Sequence, residues 1–345
     1  MPQEVDFAIV GGGFTGLSAA ACLRRLDPQK SVALFEAESI GAGASGRTGG
    51  MTLAESAAGD LPGLGDVLTG FSKVLADLGI DCDLSLPGVC ELGRGDARAD
   101  SSIDWTDSGR LRVVDEVPGG SADPGKLVSG LARSADRLGA FILEDSRVEN
   151  ITFGDPLRLD IRGQKIRARQ VLLATNAMSL ELNSLANRAE PKFTLAIATA
   201  PLTDTQIGKL GLASRRSFYT VDLPYLWGRL LNSNGVIFGS GLVHLRHWSD
   251  LDALNIATGL PAELFASIED RIRKLHPALR SVQFTHRWGG PILFANNWRP
   301  IFARHPKSAH AIVLGAYSGH GVALSVYLGS WAAEVMLGRR DLPAW

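Results

Sequence analysis

The sequence contains little cysteine and almost no net charge. Its 345 residues include three cysteines, Cys22, Cys82 and Cys90, with no CxxC spacing. Three cysteines are too few for a disulfide scaffold and favour a reducing compartment. Lys and Arg total 35 against 36 for Asp and Glu, which gives a net charge of −1. We therefore expect small molecules as partners, and neither a nucleic acid nor a membrane surface.

Signals for export, membrane insertion and several common catalytic sites are also missing. The first four residues include no basic segment and no apolar signal core, so we expect a cytoplasmic protein. The largely apolar stretch 311–337 is interrupted by His320, Glu334 and several glycines, which favours a buried helix over a membrane span.

His244 and His247 would point to opposite faces of a strand, without a third ligand nearby, so no metal site is predicted. The sequence has no G-x-S-x-G elbow and no Walker lysine, and it leaves the oligomeric state open.

The strongest motif lies between residues 6 and 36. An apolar run at 6–10 precedes three glycines, Gly11, Gly13 and Gly16, in GxGxxG spacing, and a helical pattern then continues to Leu26. A second apolar run at 31–35 ends at Glu36, which stands 20 residues beyond Gly16. This order of strand, glycine turn, helix, strand and acid is typical of a dinucleotide-binding unit.

Each residue of this motif has an expected physical role. Gly11 permits the tight turn, Gly13 lets a pyrophosphate approach the backbone, and Gly16 allows the helix to pack closely on the strand. The N-terminus of the helix favours the negative phosphates. Glu36 is expected to accept hydrogen bonds from an adenosine ribose and to disfavour a 2′-phosphate, which predicts FAD or NAD and not NADP. Glycines that serve packing alone are the alternative.

Two further glycine-rich segments occur in the chain. Residues 41–51 contain five glycines in eleven positions, which predicts a backbone in contact with the cofactor. Arg47 in this segment could neutralise the pyrophosphate or, alternatively, lie in solvent. Near the C-terminus an apolar run at 312–314 leads through the glycine-rich residues 315–321 into a helix. Such a turn can direct N–H groups to the flavin edge that gains negative charge on reduction, and an NAD-dependent dehydrogenase would not explain it.

The remaining pattern predicts an α/β protein with two domains. Asp123 is expected to cap an amphipathic helix at 124–138, and the weakly patterned segment 94–109 is predicted to be an exposed loop. β runs between 193 and 240 and a helix near 261–275 predict a second, β-rich α+β domain. We predict a discontinuous Rossmann-like FAD-binding domain of the glutathione-reductase type at 1–51, 121–189 and 285–345, and a substrate domain at 52–120 and 190–284.

Four motifs together resemble the D-amino-acid oxidase family of FAD-dependent flavoproteins, particularly its glycine, sarcosine and γ-glutamylputrescine oxidase branch. They are GGGFTG at 11–16, GASGRTGG at 43–50, RWGGPILFANNWRP at 287–300 and GAYSGHGVAL at 315–324. The chain departs from the family at Ala295 and Asn297, where Thr and Asp are frequent, and at Thr48, where Asn is common. Since no cysteine follows Cys90, the resemblance implies noncovalently held FAD.

The resemblance also implies roles for individual residues. On the substrate side it places Tyr225, Trp227 and Arg229 on strands that face the flavin, with Arg229 pairing with a substrate carboxylate. Trp288 and His320 are expected to wall the cavity; a strand ion pair for Arg229 and a structural role for His320 are the alternatives. The residues predicted to bind FAD are Gly11, Gly13, Phe14, Thr15, Gly16, Glu36, Ala37, Ser45, Gly46, Arg47, Thr48, Gly50, Met51, Val148, Ala174, Thr175, Asn176, Gly315, Ser318, Gly319, His320, Gly321, Val322 and Ala323.

The reaction implied by the resemblance is oxidation of the C–N bond of an amine or amino acid. Hydride would pass to flavin N5 and give an imine, and O2 or another acceptor would reoxidise the flavin. This step needs positioning and a neutral amine, so no strong catalytic base is expected. Two alternatives stay open: a flavin-dependent dehydrogenase of a hydroxy acid or tailoring oxidase, and a nonenzymatic flavin-binding subunit.

Overall fold

The structure is a computed structural model that describes residues 2–251 and 254–345. Its helices are α1 (Phe14–Leu26), α2 (Val67–Leu78), α3 (Pro124–Arg137), α4 (Leu180–Asn183), α5 (Asp204–Lys209), α6 (Gly259–Leu275) and α7 (Gly321–Met336), with short 3-10 helices at Trp248–Leu251 and Pro277–Leu279. Its strands are β1 (Glu4–Val10), β2 (Val32–Phe35), β3 (Met51–Leu53), β4 (Val89–Gly93), β5 (Asp104–Thr106), β6 (Arg110–Val117), β7 (Gly119–Ser121), β8 (Phe141–Leu143), β9 (Val148–Thr152), β10 (Leu157–Ile161), β11 (Gln164–Leu173), β12 (Ala189–Thr199), β13 (Ser217–Thr220), β14 (Trp227–Leu230), β15 (Val236–His244), β16 (Phe284–Ala295), β17 (Ile301–His305) and β18 (Ser308–Gly315).

The first eight-stranded sheet has a parallel centre in the order β18-β11-β1-β2-β8. The antiparallel strand β17 borders β18, and the β9–β10 hairpin extends β11. Strand β1 is buried on both faces: Phe7 and Ile9 join a core shared with α1, α3 and α7, while Ala8 and Val10 join the core on the other face. A continuous apolar run is what such a central parallel strand requires. The α/β fold class predicted from the sequence is therefore confirmed.

The second eight-stranded sheet has the order β16-β12-β15-β14-β13-β4-β6-β5 and is antiparallel except at the β13–β4 pair. One face packs against α6 around buried aromatic rings, including Phe218 and Phe238. The other face carries Ala196, Trp227 and Trp288. The division of the chain into two domains at the boundaries given above remains a prediction.

The expectation of an exposed loop at 94–109 is wrong for its last third. Ile103 and Trp105 are only 2% and 1% exposed, and β5 pairs with β6. The Trp105 indole donates a hydrogen bond to Leu210 O at 3.1 Å and meets the Phe218 ring edge-on at 5.0 Å. A three-residue strand is too short to produce a periodic signal, since it holds one inward residue between two exposed ones.

Two helices agree closely with the sequence pattern. Helix α1 covers the predicted residues 14–26, and α3 begins after Asp123, whose carboxylate accepts a hydrogen bond from Lys126 N at 2.9 Å. Helix α7 is apolar because most of its side chains are buried in the core it shares with α1. Within residues 2–251 and 254–345, no helix has the length and apolar character needed to cross a membrane.

Helices α1 and α7, from opposite ends of the chain, pack in direct backbone contact. The Ser18 hydroxyl donates to Val326 O at 2.7 Å. Gly329 makes this approach feasible, because a Cβ there would lie 2.5 Å from Thr15 O and 3.0 Å from the Ser18 Cβ. Any side chain at position 329 must separate the two helices.

We predict that Gly329→Ala destabilises the protein by about 1–3 kcal/mol, because the overpacking outweighs the gain of about 1 kcal/mol in helix propensity. The measurement is the free energy of unfolding in urea. Gly208→Ala in α5 is the matched control, since a Cβ there meets no atom within 4 Å. Equal effects of the two changes would show that the α1–α7 contact does not limit stability.

Candidate active site

A cavity of about 1330 Å³ opens at the carboxyl ends of the parallel strands. Its walls include the residues that follow β1, β2, β11 and β18, and it continues to the face of the second sheet that carries Trp227 and Trp288. Ligands of open α/β sheets bind outside these strand ends. The volume exceeds the roughly 300–1,000 Å³ of a pocket for one drug-sized ligand, so a cofactor and a second molecule have room.

The turn after β1 has the close contacts that the glycine spacing predicts. Gly11 has φ of +110°, and a Cβ there would lie 2.7 Å from Ala174 O. A Cβ at Gly16 would lie 2.0 Å from Gly11 O, so no side chain fits between the turn and the helix. Helix α1 has Gly13 as its N-cap and therefore no side-chain cap of its own, although Phe14 N donates to Ser45 Oγ at 2.9 Å. The N-terminus of α1 therefore faces the cavity, and apart from Phe14 N its first N–H groups have no side-chain acceptor among the described residues.

Glu36 lies at the cavity wall with its carboxylate fixed by the backbone. Its Oε2 accepts from Gly12 N at 2.7 Å and its Oε1 from Glu38 N at 3.0 Å. Arg147 and Val148 line the same end of the cavity, and Ser146 N donates to Glu36 O at 2.7 Å. Each carboxylate oxygen keeps a further lone pair for a hydroxyl donor. Sequence reasoning did not identify the Gly12 contact, which links the glycine turn to the acid.

The glycine-rich segment 41–51 folds over the first turn. Gly41 N donates to Gly12 O at 3.0 Å. Gly46 and Gly50 do not line the cavity as expected, because a Cβ at either position would meet backbone oxygens, Gly41 O at 2.5 Å and Ala122 O at 2.2 Å. Those two glycines serve backbone packing. The segment's residues at the cavity wall are Ala42, Gly43, Ala44, Ser45, Arg47, Thr48, Gly49 and Met51.

The C-terminal glycine turn meets the first turn inside the cavity wall. The Tyr317 and Thr15 hydroxyls share a hydrogen bond of 2.7 Å across 302 positions of sequence. Asn176, which follows β11, accepts a hydrogen bond from Ala316 N through its Oδ1 at 2.9 Å. Asn176, Ala316 and Ser318 all adopt positive φ, between 48° and 58°. Left-handed backbone at non-glycine residues is strained and clusters at functional sites.

Not every predicted residue of this turn reaches the cavity. Gly315 and Ala323 are absent from its wall, since Gly315 packs against Asn176 and Ala323 is 1% exposed in the helix core. Gly16 does not line the cavity either; as described above, it allows the helix to pack closely on the turn. The other predicted cofactor residues line the cavity, namely Gly11, Gly13, Phe14, Thr15, Glu36, Ala37, Ser45, Arg47, Thr48, Met51, Val148, Ala174, Thr175, Asn176, Ser318, Gly319, His320, Gly321 and Val322.

His320 stands at the start of α7 as its N-cap and contributes no side-chain cap. Its Nδ1 is buried and has no hydrogen-bond partner among residues 2–251 and 254–345. Burial lowers the pKa of the imidazole below its ordinary value of 6.5. The ring is therefore uncharged at neutral pH, and it lines the cavity as a polar group and not as a cation.

Aromatic side chains wall the end of the cavity that faces the second sheet. The Trp227 indole occupies space that two glycines leave free: a Cβ at Gly49 would lie 2.2 Å from the ring and one at Gly239 only 1.9 Å. The Trp288 indole donates to Arg47 O at 2.9 Å and so joins β16 to the glycine-rich segment. Thr194, Ala196 and Ser240 supply small side chains between these rings. We call this part of the cavity, together with Tyr219 and Tyr225, the aromatic chamber.

The structure places Arg229 directly behind the cavity wall, and its predicted pairing with a substrate carboxylate stays a prediction. Arg229 does not line the cavity. Its Nε donates to Gly49 O at 2.5 Å, and burial lowers the pKa of its guanidinium. On β14, Trp227 faces the cavity while the guanidinium two residues later turns back to support the glycine-rich segment. Residues two apart on a strand start from the same face of the sheet, but the end of a long side chain can still point in another direction.

Sequence reasoning missed the residues between Tyr219 and Tyr225. Tyr219, Thr220, Val221, Asp222, Leu223 and Pro224 all line the cavity, as does Leu242 of β15. Tyr225 was predicted, although it precedes β14 and does not lie on a strand. The available signal was the run VDLPYLW at 221–227, whose apolar residues follow neither a strand nor a helix period.

Comparison with known proteins agrees with this geometry. The family described as DAO, FAD dependent oxidoreductase, matches residues 6–335. The γ-glutamylputrescine oxidoreductase of Escherichia coli is 26% identical, over 96% of this chain and 84% of that protein. A probable oxidoreductase OrdL of Rhizobium meliloti is 27% identical, over 98% of this chain and 84% of its own length.

Solved structures share the fold. Glycine oxidase from Geobacillus kaustophilus has a TM-score of 0.77 at 18% identity, covering 98% of this chain and 96% of that one. L-proline dehydrogenase from P. horikoshii has a TM-score of 0.74 at 18% identity, covering 99% and 96%. Because the family match extends from residue 6 to residue 335, this protein belongs to the DAO family of FAD-dependent oxidoreductases, and FAD is its cofactor.

Proposed function

We propose that this protein oxidises the C–N bond of an amine to an imine, with O2 or another acceptor regenerating the oxidised cofactor. The observation that carries the proposal is the single cavity in which two glycine turns meet at one end and an aromatic chamber forms the other. The proteins to which this chain is similar are named as oxidoreductases of nitrogen compounds, namely γ-glutamylputrescine, glycine and L-proline.

The residues present fit a flavin dinucleotide. Glu36 would hold the ribose, the uncapped start of α1 the pyrophosphate, and the turn before α7 the isoalloxazine ring. When bound, the flavin supplies the acceptor for a hydride from the carbon next to the substrate nitrogen. Among the described residues no cysteine is placed at the cavity wall, which supports the noncovalent attachment that we propose.

The charges around the aromatic chamber favour an amine without a neighbouring carboxylate. Arg229 is bound to Gly49 O behind the wall, His320 is uncharged, and Arg147 lies at the ribose end beside Val148. Arg47, in the segment assigned to FAD, is the remaining arginine among the described wall residues. An α-carboxylate would need a bidentate cationic partner in such a low-dielectric site. The chamber therefore fits a simple amine better than an amino acid.

The chamber also helps the substrate to react in its neutral form. Only an amine with a free lone pair can release hydride from its α carbon, and desolvation disfavours the ammonium form. The indoles of Trp227 and Trp288 provide an apolar surround, and the Asp222 carboxylate at the wall is already paired with Arg94. The chain's contribution is to orient the C–H bond and exclude water, which can account for much of the rate without a catalytic base.

The purified holoprotein should lose its visible flavin absorption when an amine is added without oxygen, and regain it when an acceptor is admitted. The panel contains primary and secondary amines, amino acids and 2-hydroxy acids of matched size. Bleaching by hydroxy acids alone would replace this proposal with a hydroxy-acid dehydrogenase. No bleaching by any compound would favour a nonenzymatic flavin-binding role.

Glu36→Gln should weaken FAD binding by roughly 10–100-fold, because an amide cannot accept from both backbone N–H groups and the ribose, and hydrogen bonds to a charged group contribute about 1.5–3 kcal/mol. Titration of the apoprotein with FAD gives the dissociation constant. Glu38→Gln is the matched control, since Glu38 is an exposed acid at the same cavity end. If both variants bind FAD as the wild type does, Glu36 does not hold the ribose.

The lowered pKa of His320 should appear in the pH dependence of stability. Because the folded imidazole resists protonation, the unfolded chain binds a proton at higher pH, and the free energy of unfolding falls as the pH drops below about 6.5. Apoprotein carrying His320→Asn should therefore lose less stability than the wild type between about pH 7.5 and about pH 5.5. Urea unfolding at each pH measures this, with His310→Asn at an exposed position as the control. Parallel curves for wild type and His320→Asn would contradict the assignment.

A further inference from the structure

Exposed apolar side chains are concentrated at the mouth of the cavity. Of the eight large apolar residues that are most exposed among the described residues, five line this cavity: Val221, Leu223, Tyr225, Leu242 and Trp298. Leu223 is 83% exposed, Val221 53% and Tyr225 47%. Apolar residues scattered singly over a surface need no explanation, but a cluster at one opening marks a binding surface.

The segment 221–225 that carries three of these residues is firmly anchored. Arg271 of α6 donates to Pro224 O at 2.7 Å and to Tyr225 O at 2.9 Å. Asp107, whose side chain is 5% exposed, pairs with Arg271 at 2.6 Å and with Arg94 at 2.7 Å. We call Arg94, Asp107 and Arg271 the anchor cluster.

The anchor cluster also fixes the one charged residue of the segment. Arg94 N donates to the Asp222 carboxylate at 3.1 Å, and the Arg94 guanidinium pairs with the same group. The Asp222 side chain lines the cavity and is 40% exposed, but Arg94 compensates the one charge that the segment carries. Its side chains at Val221 and Leu223 remain in solvent on a fixed backbone, so covering them requires little loss of backbone entropy.

The position of this surface points to the substrate as its occupant. The segment leads through Tyr225 directly into Trp227, so the apolar side chains at the mouth are continuous with the aromatic chamber. The charge that the segment does carry, on Asp222, is neutralised by Arg94. An ammonium or carboxylate at the distal end of a substrate would meet no uncompensated counter-charge here, because Asp222 is already paired with Arg94, whereas an alkyl or aryl group would be removed from water by the apolar side chains.

We infer that the substrate is an amine with an alkyl or aryl group, and that this group lies against Val221, Leu223 and Leu242 while the amine enters the aromatic chamber. This inference rests on the proposed amine oxidation and specifies its substrate class.

The test uses the holoenzyme without oxygen and three probes: ethylamine, hexylamine and the diamine putrescine. Perturbation of the flavin spectrum gives the dissociation constant, and loss of flavin absorption gives the rate of reduction. Hexylamine should bind roughly tenfold or more tightly than either ethylamine or putrescine, since each methylene in an apolar pocket contributes to discrimination.

Leu223→Ser should weaken hexylamine binding by roughly 5–20-fold and change ethylamine binding less than about twofold. Leu260→Ser is the matched control, because Leu260 is a 54% exposed leucine on α6 outside the cavity wall. Leu242→Ser, which approaches the mouth from β15, should repeat the selective loss if Leu223→Ser does not retain FAD.

The outcomes separate the two proposals. If putrescine binds as tightly as hexylamine, or if Leu223→Ser weakens both monoamines equally, the apolar substrate class is overturned while flavin bleaching still supports amine oxidation. If no amine bleaches the flavin, the proposed function fails. The binding constants of hexylamine then decide separately whether the mouth takes an apolar group.

Discussion

The contact between the two ends of the chain is the constraint on which the site depends. A hydrogen bond between Thr15 and Tyr317 closes the cavity wall, and Gly329 lets α7 approach the backbone of α1. Each glycine turn supplies one helix start to the cavity, the first at α1 and the second at α7. Since the joined residues are 302 positions apart, this part of the cavity wall forms only when the two ends of the chain meet.

The cavity divides by polarity into two ends with different physical tasks. At the ribose end, backbone N–H groups and the fixed carboxylate of Glu36 suit a charged, hydrogen-bonding ligand. In the aromatic chamber, the indoles of Trp227 and Trp288 exclude water and disfavour charge. A cofactor that spans both ends places its reactive ring where a neutral amine is favoured.

Local patterns were sufficient to predict the α/β fold and the glycine turns. Gly11, Gly16 and Glu36 lie within one βαβ unit, so their spacing alone determines their geometry. Arg229 could not be placed in this way, because the direction of a long side chain depends on the glycine-rich segment that packs beside it in space. Trp105 was missed for a related reason. Its strand is three residues long, and the Phe218 ring that covers it comes from a part of the sequence more than 100 residues away. Sequence spacing determines contacts within a motif, whereas contacts between motifs require the tertiary fold.

The anchor cluster shows how a site can retain exposed apolar groups without becoming disordered. Buried ion pairs contribute little net stability, because desolvation offsets much of their attraction. They do fix geometry, since Asp107 pairs with Arg94 and Arg271 at the same time. The backbone carbonyls of Pro224 and Tyr225 are bound into that arrangement. The expected benefit of the cluster is therefore a fixed backbone at the mouth of the cavity and not a more stable fold, in agreement with our proposal that the segment 221–225 selects among amines.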